Sequence, residues 1–87
     1  MLDALPLVAY GCHMRTKFDG SAVRRLREAQ GLSTEQLAQA IKKDRTYIWR
    51  IETGRRPYGS PRSRLDIAHA LGVSLDDITL VEIAEAA

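Results

Sequence analysis

At 87 residues the chain has room for one domain, since single domains mostly run to roughly 100–150 residues. Forty-five per cent apolar and 28% charged residues exclude a disordered tail, and scarce aromatics with no gathered alternating β-branched runs favour an all-α fold. The net charge of +2 is unevenly spread: residues 1–65 hold all 13 basic side chains and six acids, while 66–87 hold five acids and no base. Such asymmetry suggests one face for a polyanion, with a solvated surface of mixed sign as the plain alternative.

The first 18 residues read as an N-terminal arm or extension, and 19–87 as the folded domain. Leu5 to Tyr10 is apolar but has no basic start, and it falls well short of the ~20 residues of a membrane span. A cytoplasmic protein without a membrane partner is expected. Met14 is a candidate initiator, because helical patterning begins only after it. Cys12 is the single cysteine and has no partner at metal-ligand spacing, while His13 and His69 lie far apart. Neither a metal site, a cofactor nor catalytic chemistry is expected from them.

From Asp19 onward, capping signals divide the chain. Asp19 or Ser21 caps a first helix with Ala22, Val23, Leu26 and Ala29 at helical spacing, and Gly31 ends it. Ser33 with Gln36 three residues on forms a capping box for a second helix, whose inner face is Leu37, Ala38 and Ile41. Lys42-Lys43 interrupts, Asp44 caps a third helix with Ile48 and Ile51 inward, and Gly54 stops it. Arg55 to Gly59, with Pro57, is a loop. Ser60-Pro61 opens a fourth helix presenting Leu65, Ala68 and Leu71 and ending at Gly72. Ser74 with Asp77 begins a fifth, with Leu75, Ile78 and Val81 or Ile83 available for packing. The expected architecture is thus all-α, a compact five-helix domain.

The second and third helices are joined by only a few residues, which forces a sharp angle. In that geometry one helix braces against the duplex backbone while the next enters the major groove. Gly31-Leu32-Ser33-Thr34-Glu35-Gln36-Leu37-Ala38, then Ile48, Arg50-Ile51-Glu52-Thr53-Gly54, then Ala68-His69-Ala70-Leu71-Gly72-Val73-Ser74 resembles the XRE family, the lambda-repressor and Cro-like helix-turn-helix domains. The resemblance covers roughly Ser21 to Leu80. It implies a lambda-repressor-like fold and a sequence-specific, dimeric regulator of transcription, with repression the commonest mode.

With Ile48 and Ile51 inward at 100° per residue, the opposite face of the helix spanning 44–53 holds Thr46, Trp49, Arg50 and Thr53, with Arg45 at its edge. These coincide with the family's base-touching positions, so Arg45, Thr46, Trp49 and Arg50 are the expected base readers. Each arginine can offer a fork to guanine O6 and N7, worth about 1–3 kcal/mol of discrimination. Trp49 has a dimer or interdomain contact as its other reading. Tyr47 lies toward the inner flank. Phosphate contacts are expected from Thr34 at the start of the second helix, and from Thr53, Arg55, Arg56 and Arg62. The family often sets an arginine of the first helix against a carboxylate at the position of Glu52. Arg27 fills that place, with Arg24 one turn away as the other candidate.

Lys42 stands where most family members carry glycine, so it either accepts a left-handed backbone or shifts the turn. Thr34 replaces a common glutamine, and the loop from Arg55 to Ser60 is long and arginine-rich. Expected partners are double-stranded DNA and a second copy of the chain. The dimer surface is expected around Leu75 to Ala87, or failing that at the apolar arm Leu2 to Tyr10. The competing reading is an antitoxin or adaptor whose main partner is a protein. An enzyme has no support in the sequence.

Overall fold

The computed structural model describes residues 12–85. Its elements run β1 (Cys12–Phe18), α1 (Gly20–Ala29), α2 (Thr34–Ala40), α3 (Arg45–Glu52), α4 (Pro61–Leu71), a 3₁₀ turn (Leu75–Asp77) and β2 (Thr79–Glu85). Four helices and a two-stranded antiparallel ribbon replace the expected five-helix, all-α domain. The arm expected over 1–18 is a strand from Cys12 onward, and its first 11 residues lie outside the described residues.

The correction at the C-terminus has a local cause. Ser74 and Asp77 form the expected capping box, but it starts only a single 3₁₀ turn. Beyond it Thr79, Val81 and Ile83 fall at every second position. β-Branched side chains favour the pleated backbone over the helix, and β1 supplies the missing hydrogen-bond partner. Phe18 faces Thr79, Thr16 faces Val81 and Met14 faces Ile83. The expectation that Val81 or Ile83 packs inward fails, because both are exposed.

The helices follow their caps. Asp19, rather than Ser21, accepts from the Ala22 amide. Ser33 and Gln36 exchange both capping-box bonds, Asp44 accepts from Tyr47, and Ser60 accepts from Ser63. Val23, Leu37, Ile48, Ile51, Ile67 and Ile78 are fully buried at the centre, with Phe18 and Leu71 beside them. Leu65, expected on the apolar face of its helix, and Ala29, at helical spacing with the apolar residues of α1, are exposed. Ile67 takes the inward place on α4, because the buried face is made by Ser63, Ile67, Ala68 and Leu71 and leaves Leu65 on the solvent side.

Two close approaches fix this arrangement. The start of α1 abuts the end of α3 so tightly that a Cβ at Gly20 would collide with the Ile51 carbonyl oxygen and sit 2.8 Å from that of Glu52. Both obstacles are backbone, which cannot swing away. Gly20→Ala is therefore expected to cost about 1–3 kcal/mol, as overpacking usually does, read as a lowered urea midpoint. The second approach joins ribbon to body: the Phe18 amide donates to the Pro57 carbonyl at 2.6 Å, and that of Asp19 to Ile78 at 2.8 Å.

Candidate nucleic-acid interface

The turn between α2 and α3 is a Schellman closure. Lys42 N–H donates to Gln39 and Lys43 N–H to Ala38, the paired bonds that require a left-handed residue between them. Lys42 supplies it with φ 61°. Of the two expected ways to do without glycine, the chain takes the left-handed backbone, at a cost of about 1–2 kcal/mol. The helices keep their tight connection, and α3 lies with Ile48 and Ile51 sunk in the core.

The outward side of α3 presents Arg45, Thr46, Trp49 and Arg50, all exposed. Thr34, half-buried at the first position of α2, joins Arg45, Thr46 and Trp49 around a depression of about 280 Å³. One of the expected phosphate contacts thus lies beside three of the expected base readers. Glu35 occupies the first turn of α2 as well and places a negative charge there.

After α3 the chain folds back on the helix. The amides of Arg55 and Arg56 both donate to the Arg50 carbonyl, at 2.7 and 3.0 Å. The Arg55 guanidinium then lies 4.9 Å from the Trp49 ring centre, and Arg56 lies 5.0 Å from that of Tyr47, which Lys43 approaches at 5.2 Å. Cation–π contacts at exposed sites are worth about 0.5–1 kcal/mol each. Their effect here is to hold three cations beside the helix that carries Arg45 and Arg50. Trp49 stays 47% exposed under this stack.

Thr53 and Arg62 are placed differently. The Thr53 hydroxyl donates to the Trp49 carbonyl at 2.7 Å, so its proton is already used within the helix. Arg62 pairs with Asp66 at 3.2 Å and lines a separate groove with Lys42 and His69, between the end of α2 and α4.

Behind the face, Arg27 and Glu52 form a two-pronged pair. Arg27 Nε donates to Glu52 Oε2 at 2.7 Å and Nη2 to Oε1 at 3.0 Å, while Nη1 reaches the Leu32 carbonyl at 2.8 Å. Arg27 is 8% exposed. The hydrogen bond to Glu52 raises its pKa further, against the opposing effect of burial. This arginine comes from α1, the carboxylate from α3 and the carbonyl from the chain leading into α2, so one guanidinium fixes three segments. Arg24 instead pairs with Glu28 on the surface.

Sequence reasoning missed a second polar cluster, where loop meets ribbon. The Tyr58 hydroxyl donates to Glu82 of β2, Arg15 of β1 lies 3.8 Å over the Tyr58 ring, and Lys17 stands 4.0 Å from Glu82. The bond from Tyr58 holds the Glu82 carboxyl below the usual carboxylate range and raises the Tyr58 hydroxyl in turn. The available signal was the alternation of Met14, Thr16 and Phe18 with Arg15 and Lys17.

Residues 20–81 match the family model described as a helix-turn-helix domain. Among solved structures, the chain is similar to the restriction-modification controller protein C.AhdI from Aeromonas hydrophila, with 38% identity and a TM-score of 0.63 over 67% of this chain and 86% of that one. It is also similar to the clp gene regulator ClgR from C. glutamicum, with 33% identity and a TM-score of 0.61 over 67% and 74% of the two chains. No curated protein matches. Matched over most of its length, with its two linked helices and their caps in place, the chain belongs to the helix-turn-helix family, among its XRE, lambda-repressor-like members.

Proposed function

We propose that the protein is a sequence-specific, double-stranded-DNA-binding transcription regulator, acting as a homodimer and repressing by occupying promoter DNA. The observation that carries this reading is the juxtaposition on and beside α3. Exposed Arg45, Thr46, Trp49 and Arg50 share one side, and Arg55 and Arg56 are folded back against the same helix. Such a side fits the major groove, which is wide enough for one helix and carries a distinct donor and acceptor pattern for each base pair. The similar chains are a restriction-modification controller and a clp gene regulator. These support regulation as the purpose of binding.

In this reading Arg50 and Arg45 take guanine edges, Thr46 takes a base edge or a thymine methyl, and Trp49 packs on thymine methyls or sugars. Arg55 and Arg56 grip phosphates, with Thr34 at the other side of the depression. Thr53 joins the phosphate set only after releasing the Trp49 carbonyl, whereas Arg62, engaged by Asp66 through Nε alone, keeps its Nη donors for a phosphate. The stack of Arg55 on Trp49 favours DNA over a protein adaptor's partner, since it places a cation on the one large apolar side chain of the α3 surface.

Selection of the full chain on random duplexes tests this reading. It is expected to return two inverted half-sites roughly 10 base pairs apart, centre to centre. On the selected duplex Arg50→Ala should relax preference at one position of each half-site by about 1–3 kcal/mol. Arg55→Ala should weaken all sequences alike and lower the slope of log affinity against log salt by about 1. Identical behaviour of the two variants across sequences would refute the division of roles.

A further inference from the structure

The residues on either side of Ile48 both carry aromatic rings, and those rings belong to opposite flanks of α3. Ile48 points into the core, so at about 100° per residue Tyr47 and Trp49 fall to its two sides. The returning loop serves both flanks, with Arg55 over Trp49 and Arg56 over Tyr47. The Tyr47 flank receives a further cation from the turn before the helix. Lys43 Nζ stands 5.2 Å from the ring centre, and the Arg56 guanidinium 5.0 Å.

This arrangement is braced from every side. The Lys43 amide is held by the Ala38 carbonyl at 2.9 Å, and that of Arg56 by the Arg50 carbonyl at 3.0 Å. The ring is half-buried, and its hydroxyl donates to Ser63 of α4. Ser63 is itself buried and also accepts from the Ser60 hydroxyl at 3.0 Å. Lys43 and Arg56 are both exposed, and neither pairs with an acid among the described residues. Asp44, beside Lys43, is engaged in capping α3. Two like charges converging on one ring repel each other, so the fold gains little by crowding them. A polyanion gains from it.

We propose that Lys43 and Arg56 form a second phosphate grip, on the opposite rim of the major groove from Arg55 and Thr34, and that Tyr47 is its positioning residue. The inference rests on the DNA reading above and adds Lys43 and Tyr47 to it. A helix lying in the major groove, ~12 Å wide, has one strand's phosphates along each flank. Arg55 serves the Trp49 flank, with Thr34 across the depression. Lys43 and Arg56 serve the other. The compact ammonium of Lys43 acts as a point charge, which suits a phosphate better than a base edge. Long cationic side chains lose much rotamer freedom when immobilised, and heads already resting on a ring give up less of it on binding. Tyr47 itself touches no DNA, since its hydroxyl is engaged by Ser63 and its ring by the two cations.

The test titrates the full chain on its selected duplex across a salt series, and on duplexes with one uncharged methylphosphonate at successive backbone positions. Lys43→Gln is expected to weaken all sequences alike and to lower the slope of log affinity against log salt by about 1. In the scan, Lys43→Gln should become insensitive to neutralisation on one strand of each half-site, and Arg55→Ala on the other. Tyr47→Leu releases both cations and should lose more slope than Lys43→Gln. Tyr47→Phe keeps the ring without the Ser63 hydrogen bond and should retain the slope. A merely structural Tyr47 would lower stability in both variants and move the slope in neither. Circular dichroism confirms folding, and should Tyr47→Leu fail to fold, Lys43→Gln and the scan still decide. Three results would overturn the proposal: an unchanged slope in Lys43→Gln, insensitivity of Lys43→Gln and Arg55→Ala on the same strand, or a folded Tyr47→Leu with full slope. Each leaves the base selectivity assigned to Arg50 intact. A wild-type chain without salt-dependent affinity for any duplex would overturn the DNA reading, and this grip with it.

Discussion

Arg27→Ala will remove about 3–5 kcal/mol of folding stability, the usual result of breaking a buried pair from one side. The loss is severe because domains of this kind hold only about 5–15 kcal/mol in all. Three hydrogen bonds vanish with the guanidinium. The Glu52 side chain, 5% exposed, is then left buried without its partner, and the Leu32 carbonyl loses its donor. Urea denaturation checks the size of the effect. A double variant, Arg27→Met with Glu52→Leu, separates its two parts. It should recover most of the loss, because the penalty belongs to the stranded carboxylate more than to the missing attraction. If the double variant were no more stable than the single one, the pair itself would be the main contributor.

Phe18→Ala is expected to lower stability by a similar amount, about 3–5 kcal/mol, the usual cost of deleting a buried phenyl ring. For a chain of this size each kcal/mol moves the melting temperature by about 4–8 °C, so a fall of at least ~12 °C should appear in a thermal scan. The ring reaches further than the core. Its edge lies so close to Gly59 that a Cβ there would sit 2.6 Å from Cε2, beside the Pro57 carbonyl that accepts from the amide of Phe18 itself. Loss of the ring should therefore loosen the segment that follows Arg55 and Arg56, and DNA affinity should fall together with stability. Unaltered affinity in the folded variant would show that ribbon and loop are independent.

The helices were legible because each carries its own punctuation. Asp19, Ser33, Asp44 and Ser60 cap where expected, and Gly31 and Gly72 stand just past their helices. Arg27 and Glu52 were legible as a pair only through the family pattern, since nothing local links residues 25 positions apart. The ribbon was not legible. Its strands lie at opposite ends of the chain, and each depends on the other for backbone hydrogen bonds, so neither half signals the pairing alone. The alternation in β1 is brief and carries a single aromatic, Phe18. Just ahead of β2 the Ser74 and Asp77 signal pointed to a helix that lasts one turn. On the outer side of α3, period alone identified the exposed residues. It could not foresee that Arg55 would lie over Trp49, because that depends on the loop returning to the Arg50 carbonyl.

The tight seating of α3 separates two properties that most surfaces mix. Everything that holds the helix in place lies on its inner side or at its ends: Ile48, Ile51, Glu52, the Asp44 cap and the abutting start of α1 at Gly20. Arg45, Thr46 and Arg50 contribute nothing to that seating, and exposed substitutions of this kind usually change stability by less than about 0.5 kcal/mol. Their identities can drift without endangering the fold, so under the proposed assignment of base readers, descendants of one such chain can come to prefer new operators while keeping one scaffold. Trp49 is the exception. Exchanging it also releases Arg55, which makes it the slowest letter of this alphabet to change.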